Sequence, residues 1–111
     1  MNVYLDNKVL PLEIMSTPNA IGTGMMGRET LAGGMLFVFP EISERSFWMK
    51  DCLMSLDIIF IIDNKVTKVH NDCPPCHKNK CQSYQGIADM VLEVPSGQFN
   101  VSEGDVLEFT Q

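Results

Sequence analysis

The sequence has few basic residues and no long apolar run. Eight Lys and Arg residues stand against fourteen Asp and Glu residues, which gives a formal net charge of -6. Clustered cations hold phosphate backbones and anionic bilayers, so this balance argues against nucleic acid and against a membrane as partners. The longest apolar run covers residues 58–62. It is far shorter than the roughly 20 residues that a membrane-spanning helix needs.

A secretory leader is also missing from the start of the sequence. The first residues do not form a basic segment followed by a long apolar stretch. As written, the sequence predicts a cytoplasmic protein, or else it is a mature or trimmed form. In a reducing cytosol its four cysteines are expected as thiols or metal ligands rather than as disulfides.

What remains is the composition of an ordinary globular chain. With 111 residues, 45% of them hydrophobic, the chain is long enough for one core and one domain over residues 1–111. Neither a repeat nor a low-complexity tract divides it. The sequence leaves open whether the protein is a monomer or a homo-oligomer.

Short apolar or alternating segments separated by turn residues predict a mainly β chain. Asn64, which tolerates a left-handed conformation, predicts a hairpin turn. Thr17 as cap and Pro18 as first residue predict one short helix over 18–27. Pro11 suggests an edge strand, and 71–86 is expected to be irregular. The fold class is α+β, a small β-sandwich or partly closed barrel, with strands at 9–15, 35–40, 47–49, 56–62, 66–70, 89–94 and 106–109.

Several motifs in one order resemble the domain of unknown function 192 family. Residues 24–28 resemble its Gly-Leu-Met-x-Arg element, and 34–39 its Gly-Met-Leu-Phe-x-Phe strand. Residues 47–60 resemble its Trp-Met-Lys-Asn-Thr-x-x-Pro-Leu-Asp-Ile-x-Phe signature. Three positions depart from the family pattern: Asp51, Cys52 and Ser55 stand where Asn, Thr and Pro are usual. The resemblance implies a compact β-rich fold with one helix and implies no activity. Many relatives are exported, in contrast to the cytoplasmic location predicted for this chain.

A cysteine loop, Cys73-Pro74-Pro75-Cys76-His77-Lys78-Asn79-Lys80-Cys81, permits several interpretations. Zinc could take the three cysteines with His77 or His70. The Cys-x-x-Cys spacing also occurs in redox dithiols and, followed by His, in haem attachment, but the flanking sequence favours neither. The remaining interpretation is one disulfide or free thiols. The short spacing and the two prolines predict that at least one pair among Cys73, Cys76 and Cys81 lies close enough to bridge or to share a metal.

A second cluster of charged and aromatic residues consists of Arg28, Trp48, Lys50 and Asp57. Asp57 interrupts an apolar strand, so its carboxylate should be partly buried and should need donors. We expect these donors to be Arg28, Lys50 or the backbone N–H groups of residues 50–54. The functional interpretation is a pocket for a small polar ligand. The structural interpretation is an ion pair or an anchored turn.

No catalytic motif emerges from the sequence. It contains no nucleophile–base arrangement and no phosphate-cradling loop, and the spacing of Asp57, Glu93 and Asp105 does not indicate a catalytic pair. The favoured hypothesis is a small non-catalytic binding or accessory module. The alternatives are a zinc-binding or thiol redox factor that uses the cysteine loop, and a β-rich assembly component.

Overall fold

A computed structural model describes residues 1–111 as a curled seven-stranded sheet that forms a half-barrel, with one short helix. The predicted fold class is confirmed. The elements in chain order are β1 (Asn2–Leu5), β2 (Lys8–Met15), α1 (Pro18–Thr23), β3 (Gly34–Trp48), β4 (Leu56–Ile62), β5 (Lys65–Cys73), β6 (Ser83–Pro95) and β7 (Glu108–Thr110).

The sheet has the strand order β5-β4-β6-β3-β2-β1-β7, and only the β2–β3 pair is parallel. Its curl brings the two outer strands towards each other. The segment before β7 bonds to the β4–β5 hairpin, through Gly104 N to Val66 O at 2.8 Å and Leu107 N to Asn64 O at 2.7 Å. These contacts satisfy part of the backbone that two open edges would otherwise expose.

Two hydrophobic clusters lie on opposite faces of the sheet. Along β4, Ile58 and Phe60 belong to one cluster and Ile59 and Ile61 to the other, as the two-residue period of a strand requires. The continuous apolar run at 58–62 therefore belongs to a strand that is buried on both faces. The cluster with Ile58 and Phe60 also takes in Met25, Met35 and the partly buried helix residues.

The β3–β6 pair is much longer than predicted. The strands predicted at 35–40 and 47–49 are parts of one strand, β3, whose pairing with β6 shifts register between Val38 and Ser43. Residues 83–86, expected to be irregular, form the start of β6. The polar stretch between Pro40 and Phe47 resembles a loop in the sequence. It is a strand because β6 supplies its backbone partners.

Smaller differences concern β1, β2 and the helix. β1 was not predicted, and its presence places β2 inside the sheet, so the prediction of an edge strand is wrong. At Pro11 itself only β1 lies alongside, because pairing with β3 begins at Leu12. The helix begins at Pro18 as predicted but ends at Thr23, because Gly24 leaves the helical region with φ 48°.

Two local predictions are confirmed. Thr17 caps the helix, with its Oγ1 accepting from Ala20 N at 3.2 Å. Asn64 has φ 65° in the tight turn between β4 and β5, next to Asp63 with φ 49°. Positive φ at both central residues matches the right-handed twist of a two-residue hairpin. No helix of this fold is both long and apolar enough to cross a membrane.

Candidate functional site

A cleft of about 390 Å³ lies between the helix and the second half of β3. β2 pairs with β3 only as far as Phe37, whereas β3 continues to Trp48. Beyond Phe37, β3 therefore has no strand on the side away from β6. Residues of α1 and of the turn that follows it line one wall of the cleft, and residues 44–48 line the other.

Glu93 of β6 contributes a buried carboxyl group to this cleft. Its side chain is only 3% exposed, and no protein group hydrogen-bonds its carboxyl oxygens. Burial raises the pKa of Glu93 to about 8, since the protein supplies neither a cation nor a donor to favour the ionised form. At neutral pH this carboxyl group is therefore largely protonated.

The two basic residues at the cleft are already engaged by the protein. Arg45 lies over the Phe39 ring at 3.8 Å and donates to Glu41 O at 2.6 Å and to Ala88 O at 3.3 Å. Lys50 Nζ donates to Lys78 O at 2.6 Å. The cleft thus contains aromatic surface and an unpaired acid, with its cations held in internal contacts.

Two buried thiols accompany Glu93. Cys52 lines the cleft, and Cys73 packs in the same hydrophobic cluster. Burial is the largest cause that raises the pKa of each thiol to about 11. Both sulfurs are therefore protonated at neutral pH, which makes them poor nucleophiles.

The structure separates the four residues predicted to bind a ligand. Trp48 and Lys50 line the cleft, whereas Arg28 and Asp57 do not. Arg28 instead forms a bidentate pair with Glu13 on β2, at 2.6 and 2.7 Å. This cleft therefore does not bring all four residues together. A ligand role for Trp48 and Lys50 stays a prediction.

Asp57 is buried near the start of β4, but its partners differ from those expected. Its Oδ1 accepts from Asp72 N at 2.8 Å, and its Oδ2 accepts from Gly97 N at 3.0 Å. The predicted partners, Arg28, Lys50 or the backbone of residues 50–54, are wrong. Asp72 and Gly97 have φ of 55° and 81°. One carboxylate thus ties the end of β5 to the turn after β6, which is the structural interpretation of Asp57.

We expect Asp57→Asn to lower the free energy of unfolding by about 1.5–3 kcal/mol, because the amide can accept only one of these bonds and leaves a buried N–H unpaired. Chemical denaturation measures the loss. Asp6→Asn, at an exposed turn residue, is the matched control and should change stability little. An Asp57→Asn variant as stable as the wild type would contradict the structural role.

The cysteine loop contains one disulfide. Cys76 and Cys81 are bridged, with their Cα atoms 5.9 Å apart, which confirms the predicted approach of at least one pair. Cys73 is a separate buried thiol, His70 bonds to Gln85 O at 2.9 Å, and His77 lies 3.8 Å from an Asp51 carboxylate oxygen. The predicted zinc ligands Cys73, Cys76, His77 and Cys81 are not brought together as one set.

The bridged loop also packs against one end of the cleft. Cys76 N donates to Met49 O at 3.1 Å, and Asp51 N donates to Cys76 O at 2.9 Å. Lys78 O holds the Lys50 ammonium group. The disulfide therefore fixes the backbone that positions Lys50, the residue between Met49 and Asp51.

Replacing both bridged cysteines in Cys76→Ser/Cys81→Ser should lower the free energy of unfolding by about 2 kcal/mol, the entropy of closing so short a loop. Reduction should destabilise the wild type similarly and leave the variant unchanged. Alkylation of the unfolded protein should count the two free thiols, Cys52 and Cys73, before reduction. Four thiols before reduction would disprove the bridge.

Glu93 was not among the site residues predicted from the sequence. A signal for it exists, since it is the one charged residue in the apolar stretch from Val91 to Val94. A strand of this composition is buried on both faces, so its single carboxyl group must be buried as well. The sequence does not reveal that this group opens into a cleft.

The protonation of Glu93 predicts how stability depends on pH. Below about pH 4.5, its ordinary pKa, the carboxyl group is protonated in both states. Between that value and about 8, the folded state holds a proton that the unfolded state has lost, so stability falls as pH rises, by up to about 1.4 kcal/mol per pH unit. The substitution Glu93→Gln removes this contribution of Glu93 to the pH dependence of stability.

Measuring the free energy of unfolding of the wild type and of Glu93→Gln between about pH 4.5 and about pH 8 therefore isolates the contribution of Glu93. We expect the Gln variant to gain stability relative to the wild type, by a few kcal/mol in all, as pH rises. Every other titrating group is common to both proteins and cancels in the difference. Two stability curves that run parallel would show that Glu93 titrates at its ordinary pKa.

The curled sheet and the cleft define a small half-barrel protein with a ligand-sized cleft beside its helix. The chain belongs to the DUF192 family, described as "Uncharacterized ACR, COG1430", whose family model matches residues 2–109. The resemblance inferred from the motifs is thus confirmed. A comparison with curated proteins found no match.

Two solved structures share the fold. One, from Sinorhizobium meliloti, is described as a "putative transcription regulator". It is 31% identical, with a TM-score of 0.80 over 91% of this chain and 82% of that one. The other, from Novosphingobium aromaticivorans, is described as a protein of unknown function. It is 25% identical, with a TM-score of 0.82 over 97% of this chain and 84% of that one.

Proposed function

We propose that this protein is a small non-catalytic binding module whose cleft beside Trp48 takes a small organic ligand. The observation that carries the proposal is the Glu93 carboxyl group, which is buried at the cleft and has no partner within the protein. A buried polar group without a hydrogen bond costs stability. A ligand that fills the cleft would supply the missing partner.

The lining of the cleft suits such a ligand. Half of its residues are hydrophobic, among them Phe47 and Trp48, and the Trp48 side chain is 49% exposed. A mostly apolar cavity with a few polar groups is the usual form of a small-molecule site. The aromatic groups would contribute contact area, and Glu93 would fix the orientation of the ligand.

A binding role agrees better with the thiols than does a redox role. Cys52 is the cysteine that reaches the cleft, and burial raises its pKa to about 11. Reactive thiols have lowered pKa values. The bridged pair, Cys76 and Cys81, contributes neither sulfur to the cleft lining. Its disulfide is a form that oxidising compartments favour, so the cytoplasmic location stays a prediction that thiol counting in intact cells tests.

The description of the Sinorhizobium relative raises DNA as a partner. The net charge of -6 does not favour it here, because DNA binding depends on clustered cations. Two of the basic residues, Arg28 and Arg45, are also paired with carboxylates. A small ligand of the cleft therefore remains the better-supported proposal for this chain.

The test is a screen of small polar and aromatic molecules of each charge by thermal shift, with binding confirmed by calorimetry. A ligand of the cleft should raise the unfolding temperature of the wild type by mass action. Ser46→Trp, which places a large side chain in the cleft wall, should weaken that binding at least about tenfold by steric exclusion.

The matched control is Ser43→Trp, on the same strand but outside the cleft lining. It should bind like the wild type. The proposal fails if no molecule of the screen binds, or if the two tryptophan variants bind equally well.

A further inference from the structure

The charges around the cleft distinguish one class of ligand from the others. An anionic ligand would need cations, but Arg45 is directed at Glu41 and Ala88, and one of the three N–H donors of Lys50 is directed at Lys78 O. The carboxyl groups of Glu44 and Glu93 also line the cleft, and neither has an ion-pair partner. Two carboxyl groups without an ion-pair partner therefore line the cleft beside one such cation, Lys50, whose ammonium group is held by Lys78 O.

We propose that the ligand is an organic cation whose ammonium or guanidinium group pairs with the Glu93 carboxylate while its apolar part lies against Phe47 and Trp48. This inference rests on the proposed binding function and adds the chemical class of the ligand. The half-exposed Trp48 ring offers a face that attracts a cation entering the cleft. Glu93 provides the acceptor, at a depth from which water is largely excluded.

Pairing with a cation reverses the effect of burial on Glu93. In the free protein, burial keeps the carboxyl group protonated at neutral pH, with a pKa of about 8. A bound cation favours the ionised form, so binding near pH 7 releases a proton from Glu93. The apparent affinity then follows the ionised fraction of Glu93 and rises with pH.

The other titratable groups near Glu93 should not make ligand affinity rise with pH over the same range. The Cys52 and Cys73 thiols have pKa values of about 11, above the range tested. The remaining charged groups of the cleft are the same in the wild type and in the Glu93→Gln variant; they are Glu44, Arg45 and Lys50.

The experiment compares three probes of one shape: benzylammonium, benzyl alcohol and benzoate. Calorimetry of the wild type should show benzylammonium binding most tightly. Its affinity should rise more than about tenfold from about pH 6 to about pH 8, as the ionised fraction of Glu93 grows. Titrations in buffers of different ionisation enthalpy should detect the released proton.

Two variants assign the effect to the buried carboxyl group. Glu93→Gln keeps the size of the side chain and should weaken benzylammonium binding at least about tenfold while abolishing its pH dependence. Glu44→Gln, the control at the other carboxyl group of the cleft, should keep that pH dependence.

Several outcomes overturn the inference. Tighter binding of benzoate or benzyl alcohol, no binding of benzylammonium, or an affinity that Glu93→Gln leaves unchanged would each exclude an organic cation paired with Glu93. If another molecule of the wider screen still binds in the cleft and is excluded by Ser46→Trp, the binding function stands and only the ligand class is wrong.

Discussion

The pairing of β3 with β6 is the contact on which the rest of the structure depends. It joins the first strands of the chain to the β4–β5 hairpin, and its register shift between Val38 and Ser43 changes the course of β3. Because β3 continues past its parallel partner β2, the second half of β3 faces the helix rather than a strand. The cleft lies beside the part of β3 that no longer has β2 as its neighbouring strand.

The same pairing explains how Glu93 comes to be buried. In register, Glu93 lies between Met35 of β3 and Ile58 of β4, so apolar strands flank it on both sides. Neutralisation by a proton is less costly there than ionisation without a partner. The protein retains an acid at a position where an apolar residue would pack without this cost. The proposed binding role would account for the acid at this position.

The predictions from the sequence succeeded where local chemistry decides the conformation. Thr17 and Pro18 start the helix, Asn64 forms the hairpin turn, and the apolar run at 58–62 lies in strand β4. They failed where a distant partner decides. Residues 41–46 are polar except for Ile42 and resemble a loop, and pairing with β6, some forty residues later, makes them part of a strand. Of the four residues predicted to bind a ligand, Trp48 and Lys50 line the cleft, whereas Arg28 and Asp57 are bonded to partners elsewhere in the protein.

Asp57 and Glu93 show why burial of an acid does not by itself identify a functional residue. Both are almost fully buried, at 2% and 3% exposure, and they lie on adjacent strands. The carboxylate of Asp57 accepts two backbone N–H groups, both from residues with positive φ, so its charge is balanced by the turns that it holds. Glu93 has no such donors and opens into a cavity. An acid whose partners are all internal stabilises the fold. Glu93 lacks such partners at the wall of a cleft, and it is the acid on which the proposed ligand binding rests.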